Sequence, residues 1–86
     1  MWIRSQDRKT LVNADKFSVS KEHEVFRIYS VNYFLGEYST REKAMKAMDM
    51  IEDAIIKYES MINVDTIFFD ERKIVFQIPK DDEVDV

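Results

Sequence analysis

The chain has 86 residues, enough for one domain, and a domain of this size buries only roughly 60% of the surface its unfolded chain exposes. Thirteen basic and seventeen acidic residues give a net charge of −4, which Asp81, Asp82, Glu83 and Asp85 account for, so the body is neutral and lacks the basic face that a nonspecific grip on nucleic acid needs. Cysteine is absent, which excludes disulfides and thiolate chemistry, and no apolar run approaches the roughly 20 residues that span a bilayer.

In chain order, Trp2 to Gln6 alternates as a first strand, and Asp7-Arg8-Lys9 reads as a polar turn. Leu11–Val12 and Phe17–Val19 are apolar islands around Asn13-Ala14-Asp15, either one kinked strand or two fragments. Val25 to Leu35 is rich in β-branched and aromatic residues and too long for one ordinary strand, so a tight turn is placed near Ser30 to Asn32, where Asn tolerates a left-handed backbone; one long bent strand is the alternative. Gly36, the only glycine, suggests a bulge or bend just before Tyr38.

Ser39 to about Ser60 has the one long helical period, with Ser39 and Glu42 spaced as a capping box. Ala44, Ala47, Met48, Ile51, Ala54, Ile55 and Tyr58 form an apolar stripe that needs a partner surface. Beyond it, Ile62 to Phe69 and Ile74 to Ile78 read as a second hairpin around Asp70-Glu71-Arg72-Lys73, ended by Pro79. Residues 80–86 read as an acidic flexible tail.

The expected architecture is therefore α+β: a single domain over residues 1–79, with an antiparallel sheet of about five or six strands and one long helix on one face. Alternation puts Phe26, Ile28, Phe34, Phe68, Ile74, Phe76 and Ile78 beneath the helix. Arg27, Tyr29, Val31, Tyr33, Val75 and Gln77, joined by Arg4 and Gln6, fall on the opposite side. One helix covers only one side of a sheet, so that mixed face is left for water, a second subunit or a ligand.

Catalytic chemistry finds little footing. His23 stands between Glu22 and Glu24 in a charged loop, without thiols or an evident orienting partner, and reads as solvated. Asp49, Glu52 and Asp53 interleave with Lys46 and Lys57 as an ordinary solvent face rather than a metal site. No cofactor, metal or catalytic residue is assigned. Arg4, Arg27, Tyr29 and Tyr33 are the candidate ligand-binding residues, cationic and aromatic groups suited to a phosphate and a base. Met45, Met50 and Ile56 lie off the centre of the helix stripe and hint at a second contact, which favours a homo-oligomer.

The opening Met-Trp-Ile-Arg-Ser-Gln resembles that of a group of small uncharacterised proteins of phages and prophages of Gram-positive bacteria. So do Thr10-Leu11-Val12-Asn13, the run from Leu35 to Ala44, and the run from Phe76 to Glu83. The resemblance implies an accessory phage protein acting in the host cytoplasm. It carries over no site residues. The expected function is a non-enzymatic binding protein that counters host defence by sequestering a nucleotide-like signal or blocking an effector protein. The alternative is a phage or prophage interaction or scaffolding module with no anti-defence role.

Overall fold

A computed structural model describes residues 1–62 and 75–86, the side chains of Met61 and Ile62 excepted. Strands β1 (Trp2–Arg4), β2 (Leu11–Asn13), β3 (Ser18–Glu22), β4 (Val25–Ser30) and β5 (Tyr33–Tyr38) precede helix α1 (Arg41–Ile62). Strand β6 (Val75–Gln77) and a 3₁₀ turn, Asp81–Glu83, follow it. The α+β class is as expected, and Leu11–Asn13 and Ser18–Glu22 are two separate strands. The first strand and turn of the expected second hairpin, with Phe68 and Ile74, lie outside the described residues.

The strands divide into two three-stranded sheets. One has the order β2-β1-β6, with β1 antiparallel to β2 and parallel to β6; the other is the antiparallel meander β3-β4-β5. Gln6 joins them. Its backbone N–H donates to the Leu35 carbonyl at 2.6 Å, and its side-chain amide donates to the carbonyls of Glu37 and Pro79 at 3.0 and 3.1 Å. The same amide accepts from the Glu37 N–H at 3.0 Å. A side-chain amide has a peptide's donors and acceptor, so Gln6 serves β5 as a further strand would.

Helix α1 packs on β4 and β5. Ala44, Ala47 and Ile51 of the stripe are buried with Ile3, Ile28, Leu35, Tyr38 and Ile78, and Met48 and Ile55 pack against that core. The two alanines let the helix lie close to the sheet.

The helix start differs from the expected capping box. The Lys43 N–H donates to Thr40 Oγ1 at 3.2 Å, so Thr40 caps α1. Ser39 is occupied elsewhere: its N–H and hydroxyl donate to the Asp81 carboxylate at 2.8 and 3.0 Å, and Lys43 Nζ lies 3.4 Å from that carboxylate. The Ser39 backbone bond, ahead of the hydroxyl and Lys43, holds the Asp81 carboxyl below the usual carboxylate range. The segment read as an acidic tail is thus anchored at Asp81 and again at Val84, which is 4% exposed in the core. One carboxylate at a helix start and one buried valine outweigh what composition suggests.

Gly36 is needed for close approach between the sheets. A Cβ there would meet Ile78 Cγ2 at 3.0 Å and Gln6 Cβ at 3.4 Å. Ile78 is fully buried and Gln6 is held by hydrogen bonds, so neither can give way cheaply. Gly36→Ala is expected to destabilise the fold by about 1–2 kcal/mol in chemical denaturation, overpacking outweighing the lower chain entropy of alanine. A gain in stability would show that the junction is looser than described.

Candidate functional site

The face of the β3-β4-β5 sheet turned away from α1 carries an open cluster of interacting polar and aromatic side chains. Its composition follows from register. Between Ile28 and Tyr29 the β4–β5 pairing slips by one residue, taking Leu35 out of the ladder as a bulge. Gly36 and Tyr38 then face the helix side opposite Ile28 and Phe26, while Phe34 pairs with Tyr29 and Tyr33 pairs with Ser30. Directly opposed residues share a face, so Phe34 lies on the outer side and Tyr33 on the helix side.

This corrects the face assignments made by simple alternation. Phe34, expected in the core, is 43% exposed beside Tyr29. Tyr33, expected beside Tyr29, lies across the sheet and is 57% exposed at the rim. The two-residue turn pairs Ser30 with Tyr33 and so shifts the alternation by one at Tyr33 and Phe34, and the bulge at Leu35 shifts it back at Gly36, because the side-chain period of a strand is two.

The cluster itself is tightly paired. Arg27 Nε donates to Glu37 Oε1 at 3.0 Å, and its Nη1 lies 3.4 Å from Glu22 Oε1. The Tyr29 hydroxyl donates to Glu22 Oε2 at 2.5 Å. The Arg27 guanidinium stands 5.4 Å over the Phe34 ring, and Tyr29 meets the same ring edge-on at 5.9 Å and 62°. Phe34 is therefore braced by a cation and an aromatic edge.

Two carboxylates answer one guanidinium, so the trio has a formal charge of −1. An incoming phosphate would have to compete with Glu22 and Glu37 for Arg27. Of the four residues singled out from the sequence, the structure brings Arg27 and Tyr29 together. Arg4 belongs to the other sheet, where it pairs with Leu11 and Gln77, and no hydrogen bond or ion pair links it to the cluster. Glu22, Phe34 and Glu37 were missed. Glu37 was within reach, since a turn at Val31–Asn32 with one bulged residue sets it opposite Arg27.

Elsewhere the chemistry stays sparse. His23 is exposed with φ 58°, a backbone that histidine tolerates in a turn. No group of three or more carboxylate or histidine ligands gathers among the described residues, and no helix among them is long and apolar enough to cross a membrane. No family model, curated protein or solved structure matches the chain.

The hydrogen bond to Glu22, followed by desolvation, pushes the Tyr29 phenol above the ordinary tyrosine value of 10.0. A raised value means the bond contributes stability that is complete below pH 10 and fades as pH rises through the folded midpoint. In an ultraviolet or NMR titration, Glu22→Gln should lower the Tyr29 midpoint. An unchanged midpoint would mean that Glu22 does not accept this proton.

Proposed function

We propose that this chain is a non-enzymatic binding protein that docks on another protein through the outer face of its β3-β4-β5 sheet, with Phe34 as the anchor. The observation that carries this reading is an exposed aromatic ring held between Arg27 and Tyr29, which are themselves fixed by Glu37 and Glu22. Binding hot spots favour aromatic and arginine side chains, and an anchor already fixed in place loses little entropy on docking. The two carboxylates beside Arg27 favour a protein over a nucleotide-like signal, since a phosphate at this guanidinium would meet the like charges of Glu22 and Glu37.

The resemblance to phage proteins supplies the context: an accessory protein in the bacterial host cytoplasm that blocks an effector of antiviral defence. A phage partner in place of a host one would turn the same surface to scaffolding. A homo-oligomer fits a domain whose own core leaves Val31, Tyr33, Met45 and Ile56 exposed beside the docking face.

The test is a quantitative pull-down from Gram-positive host lysate with the wild type and Phe34→Ala, alongside calorimetry with cyclic and ADP-ribose nucleotides. A stoichiometric protein retained by the wild type, and at least tenfold less by the variant, is expected. Equal retention by both, or stoichiometric uptake of a nucleotide, would retire the docking reading.

A further inference from the structure

The β4–β5 hairpin turns on Val31 and Asn32, and Val31 has φ 55°. Left-handed backbone is strained for every residue with a Cβ and most for a β-branched one; two-residue hairpin turns use glycine or asparagine where φ is positive. The preceding hairpin meets the same demand with His23, a residue type that tolerates it. Val31 is also 73% exposed, so burial within the chain does not repay the strain. A residue that serves neither its turn nor the monomer's core is the kind of local inconsistency that marks a functional position.

Its surroundings narrow the partner. Tyr33, the next large side chain, is 57% exposed on the helix side of the same tip. Between Arg27 and Glu37 the chain has no charged residue, although 35% of the whole is charged. The acidic segment sits at the other end of β5: Asp81 binds Ser39, immediately beyond Tyr38. Six residues of strand put it about 20 Å from the tip, well past the screening length of about 8 Å at physiological ionic strength. In a chain whose net charge of −4 lies in its last residues, the tip is a surface that an identical copy can approach without meeting that charge.

We propose that the Val31–Tyr33 hairpin tip is the surface through which two copies of this chain associate, Val31 of each packing against Tyr33 of the other about a two-fold axis. Such a pairing is self-complementary, and its few side chains put it among weak, reversible associations. It leaves Arg27, Tyr29 and Phe34 of both copies outside the contact, so a pair would present two docking faces. The inference goes beyond the docking reading and can fail independently of it.

Sedimentation equilibrium and native mass spectrometry over a wide range of protein concentration test it, with Val31→Gly and Tyr33→Ala. The wild type is expected to pass from monomer to dimer as concentration rises, and each variant to weaken dimerisation by about tenfold. At concentrations where all are monomeric, Val31→Gly should raise Tm by about 4 °C, because the strain is removed. A wild type that stays monomeric throughout would overturn the proposal. So would a Val31→Gly variant with unchanged or lowered Tm, or dimers that survive both variants but dissociate on Ile56→Lys in the helix.

Discussion

The side-chain amide of Gln6 is the constraint on which the rest of the structure depends. It bonds both backbone groups of Glu37 and the carbonyl of Pro79, residues 31 and 73 positions away, while its own N–H reaches Leu35. A buried strand edge with unmet donors and acceptors costs about 1–3 kcal/mol per group, and one glutamine meets several of these demands at once. Gly36 makes the approach possible by having no Cβ to set against Ile78. The Tyr38 hydroxyl adds a second tie to the Pro79 carbonyl at 2.6 Å, from a phenol whose burial pushes its pKa up and keeps the proton in place.

This junction decides what the protein can offer a partner. With the free edge of β5 engaged by Gln6 and its helix side covered by α1, the outer face of the meander is what is left. There the two-residue turn, with the bulge at Leu35 beyond it, puts Phe34 where alternation put Tyr33, and the exchange changes the chemistry. A tyrosine beside Arg27 suits a phosphate-bearing ligand; a phenylalanine braced by Arg27 and Tyr29, with Glu22 and Glu37 closing the charge balance, suits an apolar recess on a protein.

Much of the architecture was legible in the sequence, because periodicity reports burial directly. The helix stripe from Ala44 to Ile55, the turn near Val31 and the α+β class follow from patterns that packing enforces. What escaped depends on single long-range contacts. Nothing in the local spacing marks Gln6 as a substitute strand or Asp81 as a partner for Ser39, since these roles are defined by residues 31 and 42 positions away, and Val84 is core only by joining a cluster drawn from the whole chain. The faces of Tyr33 and Phe34 escaped for another reason: alternation was carried straight across a two-residue turn that pairs Ser30 with Tyr33, and Gly36 marked only the neighbourhood of the bulge that restores the pattern. That is why Arg27 and Tyr29 were rightly set side by side while Tyr33 was added to them and Phe34 was assigned to the core; Arg4 was added because nothing in its spacing shows that β1 belongs to a separate sheet.

Amide hydrogen exchange at Glu37 tests the junction most directly. With its N–H held by Gln6 Oε1, this amide is predicted to exchange only through global unfolding, at the slow rate of the core amides of Ile28 and Ala47. Exchange as fast as at Val31 or Asn32 would mean that Gln6 does not close the edge of β5, and that the outer face is not the surface the fold leaves open.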